Sequence, residues 1–261
     1  MSVKHITSRD NARYREWLDL AESRQARRSS GCTLLDGEHL LEEAVSAGVC
    51  PRYLVVSEAS ATAEAWRSRL PQVPMVMLTK SLFGNLSPVT TPTGILAVID
   101  IPKPEKAADA RFAMLLEDVQ DPGNMGSLLR TAAAAGVDSV HLSKGCAEAW
   151  SPKALRGGQG GHFRLRIHEG EDLIAVARGF QGRVHAAALR SGRSLFDLDM
   201  TGPLAFVFGN EGAGLGEALR NACEPFSIPM AGEVESLNVA AAAAICLFER
   251  VRQHGAAKST P

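Results

Sequence analysis

The chain lacks most of the features that would announce a function directly. It has no charge imbalance: 28 Lys and Arg stand against 29 Asp and Glu over 261 residues. A polyanionic partner would therefore have to be met by a local basic patch. Aromatic residues make up only 5%, which predicts an aliphatic core. The cysteines, Cys32, Cys50, Cys146, Cys223 and Cys246, are odd in number and widely spaced, with no Cys-x-x-Cys pair. That excludes a disulfide framework and predicts reduced thiols in a cytoplasmic protein. The histidines are scattered, without metal-ligand spacing, so no metal is expected. Met1–Ser8 carries no apolar signal core. The longest apolar run, Val239–Phe248, is shorter than the ~20 residues a membrane helix needs. No Gly-x-Ser-x-Gly elbow of a serine hydrolase is present.

What is there is an α/β pattern in two parts. Ile101-Pro-Lys-Pro-Glu-Lys-Ala-Ala-Asp-Ala110 reads as a linker, giving domains over 1–100 and 111–261. Before it, strands and helices alternate, which implies a small α/β domain with a mostly parallel sheet. Tyr14, Trp17, Leu18 and Ala21 recur at helical spacing, predicting a helix over 8–28 capped by Ser8 or Asp10. After the linker, six short apolar strands and a long alanine-rich helix over 237–254 predict a second α/β domain. The tail from Gly255 is expected to fray.

Three glycine-containing stretches of the second part each follow an apolar run. In Asp121-Pro-Gly-Asn-Met-Gly-Ser-Leu-Leu-Arg130, Asn124 stands where a helix N-cap belongs. Arg130 lies six residues on, a rise of ~9 Å along the helix, so the two could line one pocket wall. For Asp121–Asn124 alone a capped helix with a solvated arginine is the plainer reading, but the full string through Arg130 points to a site. Phe208-Gly-Asn-Glu-Gly-Ala-Gly-Leu-Gly216 fails both nucleotide-loop patterns: Glu217 stands where a dinucleotide fingerprint needs glycine, and Leu215 where a phosphate loop needs lysine. Glu211 would repel a phosphate, so a neutral or cationic ligand fits better, a plain glycine-rich turn being the alternative. In Ile228-Pro-Met-Ala-Gly-Glu-Val-Glu-Ser-Leu-Asn-Val239, Ser236 is the natural cap of the last helix, and the Asn238 amide could reach Glu211 or a ligand. A fourth stretch, Ser151-Pro-Lys-Ala-Leu-Arg-Gly-Gly-Gln-Gly-Gly161, is a flexible basic loop suited to a phosphate backbone, or simply a solvated one.

Taken together and in this order, the motifs resemble the SpoU (TrmH) family of RNA ribose 2′-O-methyltransferases, from about Met114 to the end. Lys153 and Arg156 fall where the family has a Pro-Lys-x-x-Arg segment. Ile6-Thr-Ser and Leu35-Asp-Gly-Glu38 resemble, less specifically, the family's substrate-binding domain, an α/β fold shared with certain ribosomal proteins. The resemblance implies a knotted SPOUT-type (α/β-knot) methyltransferase domain behind a small α/β RNA-substrate-binding domain, a homodimer, and S-adenosylmethionine as methyl donor. It implies Asn124, Arg130, Glu211, Ser236 and Asn238 as catalytic and site-building residues, and Gly209, Ile228 and Leu237 as donor-binding residues. One departure bears on the RNA target: the family often has a histidine and a glutamine before the last strand of its first domain, where this chain reads Thr91-Pro-Thr-Gly94.

The implied reaction is an in-line displacement at a sulfonium methyl by a ribose 2′-hydroxyl. Arginine keeps its proton in proteins, so Arg130 is expected to orient the hydroxyl or a phosphate and stabilise oxyanion charge. RNA contacts are expected from Arg9, Arg13, Lys153 and Arg156. Residues 1–28 carry seven basic against four acidic side chains, three positive charges in excess, although a solvated helix face is a competing reading. Ribosomal RNA is preferred over transfer RNA. The competing functions are a degenerate RNA-binding module and a methyltransferase acting on a base or a small molecule.

Overall fold

The structure is a computed structural model that describes residues 3–87, 89, 92–104, 110–189, 191–232 and 234–258. Residues 105–109 of the linker expected at 101–110, and Thr91 of the divergent segment, lie outside these residues. The chain forms two compact units: residues 1–102 with 150–163, and residues 103–149 with 164–261.

The first unit contains β1 (Lys4–Ile6), α1 (Ala12–Glu22), α2 (Arg24–Ser30), β2 (Cys32–Asp36), α3 (Glu38–Ser46), β3 (Tyr53–Ser57), α4 (Ala63–Arg69), β4 (Met75–Leu78), α5 (Lys80–Leu86) and β5 (Ile95–Asp100). The sheet order is β1-β4-β3-β5-β2. β5 runs antiparallel to both neighbours, so the sheet is mixed where a mostly parallel one was expected. Alternating elements identify the strands but not the direction in which the last of them enters. The helix expected over 8–28 is two helices. Ser23 has extended backbone angles, its N–H closes α1 on Asp19 O, and its side chain accepts from Ala26 N. Serine competes for backbone groups in this way, which suits it to caps. Asn11, not Ser8 or Asp10, caps α1. Arg27 is only 4% exposed and donates to Leu20 O at 2.6 Å, neutralising carbonyls at the end of α1. It therefore leaves the basic surface. Tyr14, Trp17 and Leu20 bury one face of α1 against Ile6, Val55, Val76 and Leu96.

The second unit begins with β6 (Phe112–Leu116), α6 (Pro122–Ala134) and β7 (Ser139–Leu142). The chain then contributes α7 (Pro152–Gly158) to the first unit before continuing with β8 (Arg166–Glu169), α8 (Leu173–Gly179), β9 (Arg183–Ala187), β10 (Leu204–Phe208), α9 (Glu217–Asn221), β11 (Glu224–Phe226) and α10 (Val239–Lys258). The sheet order is β11-β9-β10-β6-β7-β8 and every pairing is parallel. β6 and β10 are buried along their whole length, as strands covered on both faces must be. α10 packs on α6 and continues through Gly255 to Lys258, where fraying was expected.

The stretch read as a flexible basic loop is the helix α7, capped by Ser151, whose side chain accepts from Ala154 N, with Pro152 in the first turn. Thr33 Oγ1 donates to Trp150 O at 2.7 Å, and a Cβ on Gly160 would lie 2.4 Å from Glu43 Cγ. These contacts knit 150–163 into the first unit.

The core is largely aliphatic, as expected, but the scarce aromatics are concentrated inside it. Trp17, Tyr14, Phe112, Phe206, Phe208 and Phe226 are among the largest fully buried side chains, because each ring removes a large apolar area from water. Phe206 and Phe226 also enclose His185. His141 is 7% exposed and stacks on His168, ring centroids 4.7 Å apart. Burial, then the charges of His168 and Arg166, bring His141 from 6.5 down to about 4. Burial also lowers His168 and His185. A depressed histidine keeps its stabilising neutral form above the unfolded value and loses that stability as pH falls towards the folded value. Urea unfolding between pH 7 and pH 4.5 should therefore show a loss of about 2–3 kcal/mol from His141 alone. Stability that stayed level over this window would contradict the assignment.

Candidate active site

The three motifs emerge at carboxyl ends of strands in the parallel sheet. β6 and β10 are neighbours, Leu116 opposite Phe208, and Glu117 N donates to Phe208 O at 2.9 Å. The chain proceeds from β6 to β7 and β8 on one side, then returns to β9 and β10 on the other. Open parallel sheets bind ligands outside the carboxyl ends where strand order reverses in this way.

In the first loop Asp121, not Asn124, caps α6: its Oδ1 accepts from Asn124 N at 2.8 Å, and Pro122 opens the helix, where its missing N–H is harmless. Asn124 sits in the first turn with its side chain free for other work. In the third loop Asn238, not Ser236, caps α10, its Oδ1 accepting from Ala240 N at 2.9 Å and Ala241 N at 3.3 Å. Ser236 is exposed, and its hydroxyl has no hydrogen-bond partner among the described residues. The second loop is a closed turn: Asn210 N donates to Gly214 O at 3.1 Å and Gly214 N to Asn210 O at 2.9 Å. Asn210 Oδ1 accepts from Gly212 N and Ala213 N, both at 2.9 Å. A Cβ on Gly209 would lie 2.4 Å from Gly214 O. The space beside Gly209 is thus occupied by the loop's own backbone.

The three loops meet through side chains. Asn124 Nδ2 donates to Glu211 Oε1 at 2.7 Å, and Asn238 Nδ2 donates to Asn124 Oδ1 at 3.0 Å. Helix N–H groups can only donate, so Asn238 must turn its oxygen to α10 and its amide nitrogen to Asn124. Asn124 must then turn its own nitrogen to Glu211. The polarity of the row is set from the helix end, without an ambiguous amide orientation. It leaves the Glu211 carboxylate accepting, with its second oxygen available.

Arg130 is exposed and makes no hydrogen bond or ion pair among the described residues, leaving its guanidinium available to a ligand. A cleft of about 550 Å³ lies among the loops after β9 and β11, lined by Leu189, Ser191, Gly192, Ser227, Ile228, Pro229, Met230, Gly232 and Val234. Ile228 is thus part of its wall. Leu237 and Gly209 are not among its lining residues, and Leu237 stands 37% exposed next to Asn238.

In the first unit, Arg9 is exposed in the turn before α1. The Arg13 guanidinium lies over the Tyr53 ring, 4.6 Å from its centroid. Lys153 is exposed on α7 and Arg156 half-buried. Arg156 Nη1 is shut off from solvent with no hydrogen-bond partner. Its charge opposes the upward shift that burial gives the Asp36 carboxyl, which also accepts from Ser87 Oγ at 2.9 Å.

Sequence reasoning missed Asp121 and Asn210 as organisers, and it missed Glu117, which holds Gly216 N through Oε2 at 2.6 Å. Pro122 was the available signal for Asp121, since proline favours the first helical position behind a cap.

Residues 111–248 match the SpoU rRNA Methylase family, a span of more than half the chain that takes in all three motifs. The chain belongs to the SpoU rRNA methylase family. Residues 11–97 match the MRM3-like substrate binding domain. The 23S rRNA (guanosine(2553)-2'-O)-methyltransferase RlmP of Bacillus subtilis (strain 168) is 34% identical over 255 residues, covering 94% of this chain and 98% of that protein. The SpoU methyltransferase AviRb from Streptomyces viridochromogenes, in complex with the cofactor AdoMet, superposes with a TM-score of 0.83 at 28% identity. That match covers 94% of this chain and 100% of AviRb. An AdoMet-bound rRNA methyltransferase from Sinorhizobium meliloti gives 0.85 at 25% identity, covering 96% and 98%. Among the described residues no group of three or more His, Cys, Asp or Glu could hold a metal ion, and no helix is long and apolar enough to cross a membrane.

Proposed function

We propose that this SpoU-family protein methylates a ribose 2′-hydroxyl in ribosomal RNA, with S-adenosylmethionine as donor. The observation that carries this reading is the row Glu211–Asn124–Asn238, in which three separate loops converge on one point at the carboxyl end of the sheet. The full-length likeness to a 23S rRNA enzyme favours ribosomal over transfer RNA. The cleft's volume, with Leu189, Ile228 and Met230 set among polar and backbone groups, suits an adenosine. An anionic Glu211 suits a cationic donor and disfavours a phosphate. When bound, S-adenosylmethionine supplies an electrophilic methyl group. The chain's own residues align the nucleophile: Arg130 orients the 2′-hydroxyl or its adjoining phosphate and stabilises the charge that develops on oxygen. Asn124 fixes Glu211, and Asn238 fixes Asn124 against the start of α10. Ile228 lines the donor cleft, while Gly209 and Leu237 serve it by shaping the adjoining loops. Ser236, with a free hydroxyl, is available to substrate.

The RNA is held by the first unit through Arg9, Arg13 and Lys153, while the half-buried Arg156 steadies α7. Two further parts of the same reading are a knotted second unit and a homodimer, with the first unit built on a fold shared with certain ribosomal proteins. The knot rests on Asn238 returning, after β11, to a residue of α6. The dimer rests on Ile245, Phe248 and Val251, exposed by 38%, 47% and 39% at a spacing of three along α10. A second copy of this chain would cover that stripe. Five free thiols suit the reducing cytoplasm.

Calorimetric titration with S-adenosylmethionine, followed by methyl-transfer assays on ribosomal and transfer RNA, tests the proposal. Donor binding with transfer to ribosomal RNA supports it. RNA binding without donor binding would make the protein a degenerate module. Gly209→Ala gives a sharper check on the loop: its Cβ would break the Asn210–Gly214 turn, so donor affinity should fall by about tenfold or more, the scale of one or two lost hydrogen bonds. An unchanged dissociation constant would remove the turn from the donor site.

A further inference from the structure

We infer that Glu117, together with Asn210, is a positioning residue for methyl transfer, the two side chains clamping the 209–216 loop at its exit and entry so that Glu211 meets Asn124. The inference rests on the functional reading above and adds to it the device that aims Glu211.

The closed turn from Asn210 to Gly214 is internally rigid, with two backbone bonds across it and two more to Asn210 Oδ1. Internal rigidity does not aim it. Glu211 stands exposed in that turn, and a rigid turn can still pivot about its two ends. Two bonds from outside the turn oppose such a pivot. At the entry, Asn210 Nδ2 donates to Asp118 O at 2.9 Å. At the exit, Gly216 N donates to Glu117 Oε2 at 2.6 Å. Gly216 directly precedes α9, so the carboxylate that follows the neighbouring strand holds the loop where it enters that helix. The bond is charge-assisted, the stronger kind.

Both acceptors belong to the segment that follows β6 and leads into α6. Asn124 stands seven residues after Glu117. One short segment therefore places both partners of the Glu211–Asn124 bond. That segment is itself fixed. Asp118 takes a left-handed backbone, φ 53°, unusual for a residue with a side chain. Its N–H donates to Ser143 Oγ at 2.9 Å, and Ser143 Oγ donates back to Asp118 Oδ1 at 2.6 Å. A Cβ at Gly145 would lie 2.1 Å from that Oδ1, so glycine there leaves the carboxylate its room. The strained residue turns its carbonyl to Asn210. Glu117 is half-buried, and its charge adds to burial in pushing the nearby Cys223 thiol up to about 11.

The test uses the full chain with Glu117→Ala, Glu117→Gln and Asn210→Asp. The readouts are the S-adenosylmethionine dissociation constant, kcat and KM on ribosomal RNA, thermal unfolding, and amide hydrogen exchange over 209–216. Glu117→Ala should raise exchange selectively in this loop and lower kcat about tenfold, as expected for one charge-assisted bond, with unfolding nearly unchanged. Glutamine keeps an acceptor oxygen and should restore most of the rate. Asn210→Asp keeps the internal turn but loses the bond to Asp118 O, so it should behave like Glu117→Ala, and it decides the matter if the alanine variant does not fold. Wild-type kcat, KM and exchange in Glu117→Ala would overturn the inference, as would a glutamine variant as defective as alanine. If the unaltered protein neither binds donor nor transfers methyl, it is the functional reading that fails, and the exchange data still decide whether the clamp exists.

Discussion

Arg130→Ala should lower methyl transfer by about two to three orders of magnitude, the scale seen when a single oxyanion donor is removed, while donor affinity stays within a few fold. Arg130 is exposed on α6 and unpaired among the described residues, so its removal empties no core and breaks no internal ion pair. Stability should be nearly unchanged, surface substitutions of this kind costing less than about 0.5 kcal/mol. The loss should appear in kcat at saturating donor, because the group acts on the nucleophile. Lysine should rescue poorly, since it offers a point charge in place of a planar fork. A variant retaining most of its rate would remove Arg130 from the chemistry.

Asn124 should be the second most sensitive position, for a different reason. Its amide donates to Glu211 and accepts from Asn238, so alanine cuts the row in two places. Two lost hydrogen bonds of about 1 kcal/mol each correspond to a fall of about tenfold to a hundredfold in rate. Aspartate should be worse than alanine despite its matching shape. It would place a carboxylate oxygen where the amide nitrogen now meets Glu211 Oε1, opposing two like charges. If aspartate proved as active as the wild type, the row would have no part in catalysis. Kinetics of both variants at saturating and limiting donor make the comparison.

Much of this site was legible in the sequence, because glycine, asparagine and charge at fixed offsets after apolar runs mark the carboxyl ends of strands. Asn124, Glu211 and Asn238 were singled out, and the structure joins them. Local reasoning failed on which residue caps which helix. It chose Asn124 and Ser236, and the caps are Asp121 and Asn238. Several cap-forming side chains stand near each helix start, and the choice among them depends on where the chain turns, which tertiary contacts decide. Glu117 and Asn210 were invisible for a related reason: their partners lie 99 and 92 residues away, and no spacing rule reaches that far.

The division of the chain was the other limit. A composition break at 101–110 suggested a clean boundary, and a truncation starting near Arg111 would follow from it. The structure draws 150–163 into the first unit, where Trp150 and Leu155 are buried. Sequence order cannot show that a later segment completes an earlier unit. A chain starting at Arg111 would leave those side chains without the partners they pack on, so the role of the first unit is better probed by substituting Arg9, Arg13 and Lys153 in the full chain. Their loss should weaken RNA binding, and should make it less steeply dependent on salt.

The most direct measurement is the chemical form of the product. Ribosomal RNA methylated by the purified full-length protein with labelled S-adenosylmethionine would be digested to nucleosides and separated by mass spectrometry. The account predicts that the label resides on the ribose of a 2′-O-methylnucleoside and disappears with Arg130→Ala. Label on a base, or transfer that survives the loss of Arg130, would contradict it.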